Sequence, residues 1–452
     1  MGKNYGIYVN NSQSDNHSKY IIIPDSRSSE LTNTLLVFFL MFFSNDTYLF
    51  GSNKNTLFVS LPRYILLLFC LFEFVYFLRQ KSIQKHKKQL VMYCIMLVTF
   101  IVISLINKEL INRTINKMLF MSGGLFVCIL LSFKDYSKAF RNSILLISIS
   151  STVLWILSYL IPDLVLQLPR MENTAGVKFA TIIFAGLDIS TIYSPMIRTF
   201  GIFWEPGVFQ MFINLAILFE LFVENRPRRV YLIVYCIALL STFSTTGYIA
   251  FLWIVLIYIL FGGKNTTISK ANRWFIILPI LLIILLQIIT RTSIGQKVFG
   301  KANNLKEGTT MVRFASFFAS ISIARSHPLT GVGMENVGTQ MYTITKASDL
   351  YFGWTSQNTN TFLYQFAAHG CIFGGLFLIG SSLFGRVFHK GALFTFSVFI
   401  LLIIFYIGEN YLVSMVPYVF IFYGFESERT EDMQKSEEYI SNERKTCRYF
   451  VY

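Results

Sequence analysis

Long apolar runs separated by short, mostly basic connections dominate this chain. Runs able to cross an apolar layer of about 30 Å occur at roughly 31–50, 57–78, 90–106, 117–132, 142–161, 206–223, 274–290 and 361–384. Two further runs, 230–262 and 392–425, are awkward lengths for a single span. At about 1.5 Å per residue the first would reach about 50 Å, too long even for a tilted helix. Each is therefore expected to be two shorter helices, the first broken near Ser241 to Gly247 and the second near Gly408 to Tyr411. The predicted fold class is an all-α polytopic membrane protein with about 12 transmembrane helices.

Charge sets the orientation. The connection 79–89 carries Arg79, Lys81, Lys85, Lys87 and Lys88 without an acid, and 224–229 carries Arg226, Arg228 and Arg229, so both are expected on the cytoplasmic side. Lys264, Lys270 and Arg273 place 262–273 there too, which requires an even number of crossings between 229 and 262 and supports the split. The expected organisation is a cytoplasmic N-terminal segment over 1–30, a helical bundle over 31–425 and a charged cytoplasmic tail over 426–452. Two long segments fall outside, about 162–205 and 291–360. The second carries Arg291, Lys297, Lys301, Lys306, Arg313, Arg325 and Lys346 against Glu307, Glu335 and Asp349. Loops this long escape the topological bias, so the positive charge suits a ligand. Within it Met311, Phe314, Phe318 and Ile321 recur at helical spacing, and His327-Pro328 ends the pattern. The expectation is an amphipathic helix on the outer membrane surface or across the mouth of the bundle, presenting Arg313 near its start.

Composition narrows the classes. With 54% hydrophobic and 14% charged residues, and a mean hydropathy of +0.54, the chain is too apolar for a soluble protein. A net charge of +15 would suggest nucleic acid in a soluble protein, but here the basic residues sit in short connections, so no nucleic-acid partner is expected. Cys70, Cys94, Cys128, Cys236 and Cys371 lie in apolar runs and Cys447 in the tail, giving no disulfide framework and no zinc spacing. The first thirty residues lack an apolar core, so the first apolar run is expected to act as an uncleaved signal anchor.

The stretch Arg198 to Gly207, RTFGIFWEPG, sets an arginine, a glutamate and a helix-starting proline at one boundary of an apolar run. Pro206 suits the first helical position, and Glu205 sits at the positive end of that helix. Each also has a plainer role, Glu205 as a helix start and Arg198 as an interfacial anchor. Arg198 and Arg313 come from segments far apart in sequence, and a pair of guanidinium groups suits a pyrophosphate at a membrane surface. Neither external segment holds an Asp-x-Asp pair, so charge stabilisation by arginine is favoured over metal. Surface arginines also contact lipid headgroups without further purpose. Candidate general bases on that side are Glu205, Glu335, His327 and His369, with Glu205 the nearest to an arginine in sequence. Glu409, in IGENY, falls at the expected turn of the last helix pair, near the same site. Further candidate substrate contacts are Arg325, Gly331, Gly333 and Asn360.

Taken together and in order, RTFGIFWEPG, STTGYIAFLW, MVRFASFFASISIARSHPLTGVGMENV and NTFLYQFAAHGCIFGG resemble the O-antigen polymerase and O-antigen ligase superfamily of bacterial envelope enzymes, over roughly 195–380. The resemblance implies a glycosyltransferase of the bacterial inner membrane that needs no metal or other cofactor and works at the periplasmic face. Its substrates would be undecaprenyl-pyrophosphate-linked oligosaccharides, with Arg198 and Arg313 as essential cations and a flippase and chain-length regulator of the same pathway as partners. The polymerase branch extends the glycan; the ligase branch transfers it to lipid A core. Ligases carry His-Asn before the glycine, whereas this chain has Thr359-Asn360 ahead of Gly370, which favours the polymerase, with His369 one turn deeper as a possible substitute. A lipid-linked oligosaccharide flippase or transporter is the alternative from another class.

Overall fold

A computed structural model describes residues 26–42, 86–262 and 308–426, except 173–177, 183, 194–196, 225, 349–357 and 413, together with isolated positions at 47, 64, 65, 68, 72 and 75. The expected span at 274–290, most of that at 57–78, residues 1–25 and the tail beyond 426 lie outside the described residues.

Among the described residues there are thirteen α-helices. They are α1 Ser26–Phe42, α2 Lys87–Ile106, α3 Ile111–Leu130, α4 Phe133–Leu160, α5 Pro162–Leu166, α6 Pro206–Phe222 and α7 Arg229–Ser241. There follow α8 Thr245–Phe261, α9 Gly308–Ser326, α10 Val337–Ala347, α11 Thr361–Leu383, α12 Ala392–Gly408 and α13 Val416–Tyr423. Both awkward runs are broken, at residues 242–244 and 409–415.

The expected twelve spans are corrected. Among the described residues four helices are long and apolar enough to cross a membrane: α2, α3, α4 and α11 with its continuation through Phe388. Length accounts for the difference. Helices α6, α8 and α12 have 17 residues each and α7 has 13, about 26 Å and about 20 Å against an apolar layer of about 30 Å.

The all-α expectation is also corrected. A three-stranded antiparallel sheet, β1 Arg170–Glu172, β2 Lys178–Ile182 and β3 Ala185–Asp188, occupies the segment expected as a loop. Ala180 lies opposite Leu187 in the β2–β3 register. The sheet buries Ala180, Ala185 and Leu187 with Leu154 of α4, Val165, Ile192 and Ile197 in an apolar cluster separate from the main core. Beyond the sheet, Leu187 bridges to Thr199, and the Gly186 amide donates to the Gly201 carbonyl at 2.7 Å. The strand edge thus holds the RTFG segment in place.

Helix α6 is the central post of the bundle, packed by α4, α7 and α8 and buried from Gly207 to Phe222. Two of its buried polar residues bond to neighbouring segments. Asn214 donates to the Gly247 carbonyl at 3.1 Å, and Glu220 accepts from Arg141 of α4 at 2.5 Å and from Arg228 at 3.0 Å. Arg141 also pairs with Glu224, so this end of the helix is anchored by fixed charges.

Helix α9 forms as its spacing requires and stops before His327-Pro328, where a proline cannot continue it. Its orientation differs from the simplest amphipathic picture. The face packed on α11 is the small one, with Ala315, Ser316, Ala319, Ser320 and Ile323 buried, while Phe314, Phe318 and Ile321 are exposed. Small residues let two helix backbones approach closely, and the phenylalanines are left on the outer face.

Helix α11 is broken at Gly370, whose φ of 71° and ψ of −176° are open only to glycine. The carbonyls of Ala367 and Ala368 freed by the break accept from the amides of Val332 and Gly333, each at 3.0 Å, and the Cys371 amide donates to the Pro328 carbonyl at 2.6 Å. The PLTGVG loop is therefore docked into the broken helix. Gly331 has φ +64°, and a side chain there would press on the Ala367 and Ala368 backbone.

Candidate functional site

The break between α7 and α8 leaves carbonyls without helical partners, and one of them receives an arginine. Arg198 Nε donates to the Thr242 carbonyl at 3.0 Å, while the neighbouring Thr199 amide donates to the Ser241 carbonyl at 3.1 Å. Ser244 starts α8 by accepting from the Gly247 amide at 3.3 Å. The same first turn of α8 offers Thr246, whose hydroxyl accepts from Arg313 Nη1 at 3.2 Å. Arg313 reaches in from α9, so both arginines converge on the start of α8.

Two carboxyls complete the cluster. Glu409, in the turn after α12, accepts from Arg313 Nη2 at 2.8 Å, with its own side chain 5% exposed and that of Arg313 39% exposed. Glu205 precedes Pro206 at the start of α6, in extended backbone, yet its side chain makes no capping hydrogen bond to its helix. Its carboxyl lies beside that of Glu409 instead. Space at that point depends on Gly207, since a Cβ there would lie 1.9 Å from Glu409 Oε1.

Electrostatics follow from that packing. Burial, reinforced by the Glu205 carboxyl beside it, pushes the Glu409 carboxyl well above the usual carboxylate range, against the pull of Arg313 and Arg198. Burial also lowers the Arg198 guanidinium from its ordinary value, with Glu205, Glu409 and Tyr248 opposing and Arg313 adding to the shift. A guanidinium keeps its charge through such a shift. The cluster therefore combines two fixed cations with two carboxyls close enough to share a proton, one of the cations open at its surface.

A polar frame fixes the turn that carries Glu409. The Thr361 hydroxyl donates to the Glu409 carbonyl at 2.7 Å and accepts from the Tyr411 amide at 2.7 Å. Asn360 caps α11, its Oδ1 accepting from the Leu363 amide at 2.8 Å, and Asn358 ties that start to Ser316 of α9 at 3.2 Å. Hydrogen bonds therefore link helix α9, the start of α11 and the Glu409 turn.

The remaining sequence candidates lie elsewhere. His369 is fully buried, with its Nε2 2.6 Å from the Lys117 amine of α3, which also donates to Gln365 at 2.8 Å. The rings of Phe100 and Phe373 close around this pair. Glu335 accepts from the Leu110 amide at 3.0 Å, and Gly333, with φ +82°, lies against Glu109. Arg325 is exposed in the last turn of α9, and His327 is exposed just beyond it. Thus Arg198, Glu205, Arg313 and Glu409 are brought together, with Asn360 in their frame. Gly331 and Gly333 belong to the docked loop, and His369 and Glu335 to contacts with α3 and the segment before it.

Sequence reading passed over Thr246, Gly207, Thr361 and Lys117. The first three carried a signal, since each sits in the first turn of an apolar helix. Lys117 offered only its place in a helix whose partner could not be read. Among the described residues no group of three His, Cys, Asp or Glu side chains is placed to hold a metal ion. No family model matches the chain, and no curated protein matches it.

Proposed function

We propose that this chain is a multi-pass glycosyltransferase of the bacterial inner membrane that joins undecaprenyl-pyrophosphate-linked oligosaccharide units at the periplasmic face. The observation that carries this reading is the convergence of Arg198 and Arg313, from segments distant in sequence, on two carboxyls at the start of α6. Guanidinium groups held by backbone and hydroxyl partners are preorganised for a diphosphate, and a carboxyl beside them is in place to take a proton.

In the reaction, the acceptor sugar hydroxyl forms a bond to the anomeric carbon of the donor while the bond from that carbon to the diphosphate oxygen breaks. The negative charge left on the lipid diphosphate falls between Arg198 and Arg313, and the hydroxyl proton passes to the carboxyl site, where Glu205 is the first candidate. The engagement of His369 with Lys117 supports a polymerase over a ligase, because the histidine that would replace the ligase residue is committed to another contact.

The test is the surface glycan profile of cells lacking the chain, complemented with wild type, Arg198→Ala or Arg313→Ala. A polymerase reading expects a single repeat unit on lipid A core without the chain and the ladder restored by wild type alone. Core without repeat units, while polymer accumulates on the lipid carrier, would make the chain a ligase. Core with neither would point to a flippase. Full ladders from both arginine variants at normal protein levels would overturn the site.

A further inference from the structure

Arg313 is both the more open of the two arginines and the one already occupied. Its Nη2 donates to Glu409 Oε1 at 2.8 Å, and a carboxylate presents to a guanidinium the same pair of oxygens that a phosphate would. Glu409 faces a second carboxyl, Glu205, across the space left by Gly207, with Arg198 completing the ring of charges and Tyr248 facing Arg198 from α8. An anion arriving at Arg313 must therefore displace the Glu409 carboxyl, which has another carboxyl as its neighbour.

We propose that Glu409 occupies the phosphate seat of Arg313 in the unliganded protein and is released towards Glu205 when a phosphate-type anion takes that seat. The exchange at Arg313 does not rest on the glycosyltransferase reading above.

The consequence is a proton linkage. While Arg313 is held, its positive charge opposes the push of burial and of Glu205 towards protonated Glu409. Once Arg313 turns to the anion, Glu409 is left beside Glu205 in a buried setting and the pair binds protons more tightly. Binding of the anion then draws a proton onto the pair, so affinity rises as pH falls, by at most about tenfold per pH unit for one whole proton.

Inorganic sulfate is a suitable probe because it does not titrate between pH 6 and pH 8, so any pH dependence belongs to the protein. Calorimetric titration of the purified full chain with sulfate should show binding that tightens at least about threefold from pH 8 to pH 6 and that is lost in Arg313→Gln. In Glu409→Gln, sulfate should bind more tightly than to wild type at pH 8, with the pH dependence largely gone. Gly207→Ala, which crowds Glu409 off its seat while leaving every charge in place, should also tighten sulfate binding and serves if Glu409→Gln does not fold. Sulfate binding that is flat with pH in wild type, unchanged in both variants, or retained in Arg313→Gln would overturn the exchange. A ladder lost in the arginine variants together with pH-flat sulfate binding would remove the role of Glu409 and leave the polymerase reading in place. The exchange observed in a chain whose loss leaves the ladder intact would do the reverse.

Discussion

Replacing Gly370 by alanine tests how the broken helix α11 and the PLTGVG loop hold each other. A Cβ at this position would lie 2.1 Å from the Leu329 carbonyl oxygen and 2.3 Å from its carbon, and both atoms are backbone, so no side-chain rotation relieves the clash. Alanine also resists φ of 71° with ψ of −176°, at a cost of about 1–3 kcal/mol. Moving the loop away breaks the bonds from Val332, Gly333 and Cys371 at 3.0, 3.0 and 2.6 Å, each worth about 1 kcal/mol. The expected destabilisation is about 4–6 kcal/mol. Gly375, five residues on in the same helix with nothing within 4 Å of its would-be Cβ, provides the control; Gly375→Ala should be neutral or stabilising by up to about 1 kcal/mol. Thermal unfolding in detergent, followed by tryptophan fluorescence, compares the two. Gly370→Ala should melt several degrees below wild type and Gly375→Ala at or above it. Equal midpoints for the two variants would refute the claim that the loop and the helix break depend on each other.

At the opposite end of α6, Glu220→Gln removes the charge shared by Arg141 and Arg228 in a fully buried setting and should cost about 3–5 kcal/mol; Glu224→Gln, whose carboxyl is 31% exposed, should cost clearly less, and the reverse order of melting midpoints would sink this account. Between α2 and α3, burial, with Glu335 adding to it and the Met334 amide opposing, holds the Glu109 carboxyl above its ordinary value of 4.5. A carboxyl raised on folding contributes stability that is fully present below the unfolded value and is lost as pH climbs towards the folded one. Glu109→Gln should therefore melt above wild type at pH 7 and level with it near pH 4, as melting curves across that range would show; a lower midpoint at pH 7 would contradict the sign.

Local pattern alone was enough for several features. The length of 230–262 against the thickness of an apolar layer demanded a break near Ser241, and α7 does end there. The spacing of Met311, Phe314, Phe318 and Ile321 gave a helix, and His327-Pro328 gave its end. Pro206 marked the first turn of α6. These depend on chain geometry and steric rules that act within a few residues. Arg198, Glu205 and Arg313 could be picked out as costly charges at helix boundaries, but their partners could not. Whether Glu205 caps its own helix or turns to Glu409 depends on a turn roughly two hundred residues away, brought close by how α6 packs within the bundle. The burial of Lys117 against His369 depends likewise on the packing of α3 and α11. The three-stranded sheet escaped notice because its strands have three, five and four residues, too short for alternation to stand out. Helix α9 turned its small face inward, where small residues allow close backbone approach to α11, and left its phenylalanines exposed. Sequence determined where helices begin, break and end; only the tertiary structure decided which charges meet, because a charge finds its partner through distance in space and the chain records only distance along itself.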